Sequence, residues 1–310
     1  MKKIKRMTCG LLPLLAGAAV LIEHYTVVSG ALPVFIGILM CGVLILTLLS
    51  IQSSSVLNWL RDRSAWYTAI FLIFLVLDVL TQKTGIFGPP MFPSTDRLLA
   101  ELVLDRSILL DCAGNSLKLL FTGYFWGMLI GLLTGIPAGR SRKARYWIAP
   151  ILRVLAPIPS VTWMALFFVL SKSLFQGCVA MVAYSVWYPV ASGIMRGILQ
   201  VDHAYIEAAQ TLGASSEWKI LRYVTLPSVL PCLFQGMISG MRAACGSLMI
   251  AEMMGVESGL AWYITWQRGW GNFTKMYTAI VMICITFLFV DAALGLLRRR
   301  ILRWEENADA

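Results

Sequence analysis

Apolar residues gather in long runs separated by short polar breaks. Eight runs are long enough to cross a bilayer: 7–28, 31–51, 66–82, 116–138, 147–170, 177–198, 228–251 and 276–297. A spanning helix needs about 20 mostly apolar residues, because the hydrocarbon core is about 30 Å thick. A transmembrane β-barrel would show short alternating segments instead. The pattern predicts an all-α, polytopic helical membrane protein with about eight transmembrane helices. The first run has Glu23 and His24 near its far end, and Lys2, Lys3, Lys5 and Arg6 before it resemble a secretion signal. A second run follows at once, so the first is read as a retained helix rather than a cleaved leader.

Composition narrows the class. Hydrophobic residues make up 58% of the chain and charged residues 14%, against about 45–50% and ~25% in soluble domains. Such a chain has too little polar surface for a soluble enzyme, a secreted disulfide scaffold or a disordered protein. The net charge of +10 sits in short clusters between apolar runs, which points to membrane orientation rather than nucleic acid. With the N-terminus inside, the inner segments hold Lys2 to Arg6, Arg61 and Arg63, Arg140 to Arg145, Lys219 and Arg222, and Arg298 to Arg303. Positive charges in short loops mark the cytoplasmic side. Outer charges in 83–115 are offset by Asp96, Glu101, Asp105 and Asp111. Both termini are therefore expected in the cytoplasm. The cysteines form no Cys-x-x-Cys pair, and neither a disulfide framework nor a metal site is expected.

Glycine and proline add detail. Gly123, Gly127, Gly131, Gly135 and Gly139 recur every fourth residue, making one bare helix face where another backbone can approach. Such a face suits ordinary packing or a sliding contact. Pro150, Pro157 and Pro159 fall in the next run and fit either a broken helix or a kinked one. Trp262, Trp266 and Trp270 would form one stripe on a helix, either an interfacial anchor or the border of an outer pathway mouth.

Charged residues inside a span are functional candidates. Asp78, Arg242, Glu252 and Asp291 qualify. Asp78 and Asp291 lie closer to span edges and read as interfacial or paired structural groups. Arg242 and Glu252 sit on one span but nearly three turns apart, so each needs a partner elsewhere. They are pathway candidates, together with Trp266.

The chain has no Gly-Lys dipeptide, no His-Glu-x-x-His and no Gly-x-Ser-x-Gly. It therefore lacks the usual phosphate-binding loop, zinc-protease and hydrolase motifs. Energy for any transport must come from an ion gradient or a partner.

The longest inner loop, 199–227, has a pattern of its own. Asp202 is a good N-cap for a helix of about ten residues containing Glu207, Ala208 and Ala209. Gly213 can take the left-handed conformation that ends it. Ser215 or Ser216 can cap a second short helix ending before Pro227. Two helices joined by a tight bend make a knob suited to docking on a cytoplasmic partner.

Glu207-Ala208-Ala209, Gly213 and Leu226-Pro227 resemble the Glu-Ala-Ala loop of the permease subunits of ATP-binding-cassette importers, one residue longer than the usual spacing. Pro93-Ser94, the Ala149-Pro150 to Pro159 region, Ala251-Glu252-Met253 through Ser258-Gly259-Leu260, and the Arg-rich end from Leu296 to Trp304 resemble the nitrate, sulfonate and taurine branch. The resemblance covers roughly 94–306. It implies an importer permease domain over 61–310 with a six-helix core, and an N-terminal extension over 1–60 with two further helices. It implies that the loop couples to a cytoplasmic ATP-binding subunit, which holds ATP and magnesium and performs the hydrolysis; no cofactor is expected in this chain. An extracytoplasmic substrate-binding protein and a second permease copy, as a homodimer, are the other implied partners, in a bacterial inner membrane. The alternative is an ion-coupled secondary transporter, which would need an intramembrane ion site and an internal repeat; no convincing repeat is visible.

The charge pattern makes a direct expectation. Reporter fusions after residues 55 and 143 should both read cytoplasmic. A periplasmic signal at either would break the eight-span arrangement.

Overall fold

The computed structural model describes residues 13–21, 36, 41, 64–73, 76–77, 79–83, 91–214 and 216–302. Every regular element among them is helical. Four helices are long and apolar enough to span a membrane: Arg106–Arg140, Leu174–Leu199, the run Trp218–Gly255 and Phe273–Ile301. They coincide with four of the apolar runs in the sequence, extended by up to ten residues at an end. A fifth candidate is a bent pair. Of the runs at 7–28 and 31–51 only residues 13–21, 36 and 41 are described; the rest of both runs, most of the 1–60 extension, and Asp78 lie outside the described residues. The 66–82 run is helical over Ser64–Ile73 and turns as a π-helix over Val79–Lys83.

The chain divides into two compact units, Met1–Ser107 with Trp266–Thr278, and Ile108–Thr265 with Ala279–Ala310. In the first, helix α1 (Thr95–Leu104) carries Glu101 and is followed by Asp105. Lys275 Nζ lies 3.2 Å from Glu101 and 2.7 Å from Asp105. One lysine from a distant part of the chain thus bridges two of the carboxylates in the 83–115 segment. Val20, Ile36 and Phe71 form a small apolar cluster in the same unit.

The second unit is built around helix α5 (Leu174–Leu199). Helix α2 (Arg106–Arg140) lays its glycine face along it. A Cβ on Gly127 would stand 2.5 Å from the Ala183 carbonyl oxygen, and one on Gly131 2.7 Å from Val190. A Cβ on Gly139 would meet Ile198 at 2.6 Å, so the close approach runs along the second half of α2 and most of α5. The bare face is therefore a packing face. On the other side of α5, helix α8 (Leu226–Gly255) comes as near: a Cβ on Gly193 would lie 2.8 Å from the Cys232 carbonyl, and one on Gly236 2.8 Å from that of Pro189. Leu120, Met181, Val186, Val190 and Leu248 fill the core between them. Tyr124 Oη of α2 donates to the Met237 carbonyl of α8 at 3.1 Å, tying the outer two helices together.

Helix α2 turns a corner rather than entering a loop. Ser141 caps helix α3 (Arg142–Leu155), its Oγ accepting from Ala144 N at 3.5 Å. Arg145 donates back to the carbonyls of Ala138 and Gly139 at 3.0 and 2.9 Å. A cation on the last carbonyls of a helix satisfies them and suits the dipole.

The 147–170 run is not one straight span. Helix α3 ends at Leu155, and a short 3₁₀ turn (Ser160–Trp163) leads into helix α4 (Met164–Leu170), with a 99° bend between the two halves. Pro157 and Pro159 occupy the break, where neither can donate a helix hydrogen bond. Pro150 stays inside α3. Of the two readings open in the sequence, the broken helix holds. Phe168 of α4 lodges against Gly177 and Gly255, where any Cβ would collide with its ring.

Gly127→Ala should lower thermal stability by about 1–3 kcal/mol, the range for overpacking a filled contact. Gly114→Ala, whose Cβ would meet nothing within 4 Å, should leave stability within about 0.5 kcal/mol. Melting curves of the two purified variants against the parent check both.

Candidate functional site

The inner loop folds as its local signals require. Helix α6 (His203–Thr211) begins at Asp202, whose carboxylate accepts from Ala204 N at 3.0 Å. It ends at Gly213, which has φ +92°. Ala214 N bonds the Ala209 carbonyl at 2.9 Å and Gly213 N the Gln210 carbonyl at 3.1 Å. These two bonds are the Schellman closure, and it needs a residue that tolerates positive φ. Ser216 Oγ accepts from Trp218 N at 3.2 Å at the start of helix α7 (Glu217–Ile220).

One expectation is corrected. The second short helix does not stop before Pro227. Helix α7 passes through a π-helical turn (Leu221–Thr225) into α8, so the backbone stays helical from the loop to Gly255. Pro227 sits in the first turn of α8, where the missing N–H matters least. The wider π turn just before it, of a kind common at irregularities in helices, accommodates the change.

The loop also presents apolar groups that the sequence reading passed over. Leu212 is 88% exposed, and Tyr205, Trp218 and Tyr223 are also largely exposed. Glu207 and Ala208 are exposed beside them, and Ala209 is half-buried. Leu226 is exposed and Pro227 half-buried at the base. The signal was present as aromatic and aliphatic residues interleaved with polar ones in a short helix.

Glu252, near the far end of α8, is 1% exposed. One carboxylate oxygen accepts from Ala261 N at 2.9 Å, in the first turn of helix α9 (Leu260–Gly269). Ser116 Oγ of α2 accepts from Leu260 N at 2.9 Å. Gly259, at φ +121°, packs so close to the carboxylate that a Cβ there would lie 2.5 Å from it. Glu252 and Ser116 thus satisfy two of the N–H groups that a helix start leaves open. Glu252 fastens α9 to α8. Trp266 lies further along α9, half-exposed, its ring 6.1 Å from that of Trp270. Trp262 packs instead against the cluster around Leu260 and Tyr263, so the three indoles do not share one environment.

Arg242 has found its partner on another helix. Its Nε lies 3.4 Å from Asp291 Oδ1 of helix α10 (Phe273–Ile301), with the two side chains 69% and 56% exposed. Beside it, at the bend between α3 and α4, opens a cavity of about 400 Å³ lined in part by Tyr184, Trp187, Tyr188, Arg242 and Ser247. Tyr184 Oη donates to the Leu155 carbonyl at 3.2 Å and Trp187 Nε1 to Thr134 Oγ1 at 2.9 Å, fixing two aromatic walls. Ser247 is buried and its Oγ has no partner.

A family model described as "Binding-protein-dependent transport system inner membrane component" matches residues 127–303. The putative aliphatic sulfonates transport permease protein SsuC of Bacillus subtilis (strain 168) is 27% identical over 252 residues, 80% of this chain and 91% of that protein. The taurine transport system permease protein TauC of Escherichia coli (strain K12) is 26% identical over 242 residues, 76% of this chain and 86% of that one. Among solved structures, an inward-facing form of the MetNI methionine ABC transporter matches with TM-score 0.53 and 21% identity, covering 64% of this chain and 96% of that chain.

Glu252→Ala should lower stability by about 1–3 kcal/mol, because it leaves a buried N–H without its acceptor. Glu252→Gln, which keeps an acceptor oxygen, should cost less. Hydrogen exchange at Leu260 to Tyr263 should rise more in the Ala variant than in the Gln variant.

Proposed function

This chain belongs to the family of binding-protein-dependent transport system inner membrane components, and on that footing we propose how it works within an importer. It is the permease subunit of an ATP-binding-cassette importer. Its 199–227 loop docks on a cytoplasmic ATP-binding subunit, with Glu207, Ala208, Ala209 and Gly213 in the contact and Leu226-Pro227 at its base. That subunit holds ATP and magnesium and carries out the hydrolysis. A second copy of this chain completes the pathway, and an extracytoplasmic binding protein delivers the solute. The assembly sits in a bacterial inner membrane with both termini in the cytoplasm. The solute is a small molecule of the nitrate, sulfonate or taurine class, a reading supported by the names of the relatives.

The observation that carries the proposal is the ordered loop. A helix capped by Asp202 and closed at Gly213 exposes Tyr205 and Leu212 to solvent, and the helix that follows exposes Trp218. Exposed aromatic and aliphatic groups on a rigid support are typical anchors of a protein interface. Because the loop continues into α8 without a break, a push on the loop is a push on a helix that lines the cavity at Arg242 and Ser247. An ATPase that closes on nucleotide could move that helix by such a contact.

Gly213→Val forces a β-branched residue into the left-handed region, at a cost of about 1–2 kcal/mol. Its side chain would meet open space, so the defect should stay in the loop. Solute uptake and stimulated ATP hydrolysis should fall, while the amount of chain inserted in the membrane is unchanged. Uptake at the parent rate would remove the coupling role of the loop.

A further inference from the structure

Arg242 and Asp291 lie well inside their helices. Arg242 is roughly 24 Å from the start of α8 and roughly 20 Å from its end, at 1.5 Å per residue. An ion pair at that depth with both side chains more than half exposed cannot face lipid tails, because charge in hydrocarbon is strongly unfavourable. This face of the chain must meet water or protein.

Arg242 also separates two hollows. On one side is the cavity at the bend, with the unpartnered Ser247 Oγ and the rings of Tyr184 and Tyr188. On the other is a second cavity of about 370 Å³ lined by Arg242, Asp291, Arg298 and Arg299. Three guanidinium groups and one carboxylate leave the second cavity net positive. The first holds a single cation, a free hydroxyl and aromatic walls. A positively lined cleft with low-dielectric walls concentrates anions.

We propose that these two cavities are successive stations for a small anionic solute, with Arg242 as the residue handed from Asp291 to the solute between them. The inference rests on the importer reading and its solute class, and adds the route and the residues that hold the anion along it. In the first station a sulfonate or carboxylate head accepts from Ser247 Oγ and the Arg242 guanidinium, and its organic part lies against Tyr184 and Tyr188. Asp291 competes for Arg242, so the anion is held weakly enough to leave. Arg298 and Arg299, at the end of α10 that the charge pattern places in the cytoplasm, draw it onward. A carboxylate beside the binding cation serves transit, where tight retention would stop transport.

The test reads the local potential without knowing the cargo. Ser247→Cys is introduced into the full chain, assembled with its ATP-binding subunit in membrane vesicles. Gly246→Cys, whose Cβ would meet open space beside the same cavity, serves as a second reporter. Each is treated with an anionic reagent, 2-sulfonatoethyl methanethiosulfonate, and with the cationic 2-(trimethylammonium)ethyl analogue, and the parent is the blank. The anionic reagent should react at least about tenfold faster relative to its rate with a free thiol. Adding Arg242→Gln should abolish that preference, and adding Asp291→Asn should increase it. The inference is overturned if neither reporter reacts in the assembled complex, if the cationic reagent reacts as fast, or if both second-site changes leave the preference unaltered. Co-purification of the ATP-binding subunit is scored in the same preparations. Its absence would count against the importer reading, whereas the reagent preference alone decides the anion route.

Discussion

Helices in a bilayer gain little from hydrophobic burial against one another, because lipid tails are as apolar as leucine. Close packing must hold them instead. The second unit meets that constraint by letting backbones touch. Helix α5 receives the glycine face of α2 on one side and exchanges glycine contacts with α8 on the other, with hypothetical Cβ distances of 2.5 to 2.8 Å at Gly127, Gly131, Gly193 and Gly236. Each such contact brings many atoms to dispersion distance at once. The positions of the bent segment, the cavity and the ion pair all follow from this stack. Phe168 can wedge at the bend only because Gly177 and Gly255 leave room for its ring.

A second consequence is mechanical. The helical run from Trp218 to Gly255 extends roughly 57 Å at 1.5 Å per residue, well beyond the hydrocarbon thickness. It begins in the exposed loop and ends where Glu252 grips the start of α9. Its second half carries Arg242 and Ser247. The glycine contacts with α5 run from Val229 and Cys232 to Gly236 and Gly240, so the rod is held through its middle, and none of these contacts falls on the stretch before Val229. A displacement at the loop therefore has a stiff element to act through and a clamped element to act upon.

What was legible in the sequence was mostly local. Asp202, Gly213 and Ser216 do their work within a few residues of themselves, so spacing alone placed them. The glycine period announced a bare face, although which helix would cover it depended on residues some 60 positions away. The prolines at 157 and 159 marked a disturbance, but the bend of 99° depends on tertiary packing and could not be read from them. Pro227 misled, since a proline that stops one helix also suits the first turn of the next. The contacts of Glu252 were not legible, because only the fold brings Ala261 N to its carboxylate and Ser116 to the adjacent Leu260 N.

Glu252 and Asp291 make the contrast that separates support from transport. Both are carboxylates inside apolar runs. Glu252 is sealed among a helix start, a serine and a glycine with no room for a side chain, and its hydrogen bond to Ala261 N holds one arrangement of helices. Asp291 stands more than half exposed at 3.4 Å from an equally accessible arginine. A long, solvent-accessible ion pair contributes little to stability, about 0–1 kcal/mol. Its presence at such depth is therefore poorly explained by folding. A pair that is weak enough to open, and that lies between two cavities, has the properties a moving anion requires of its route.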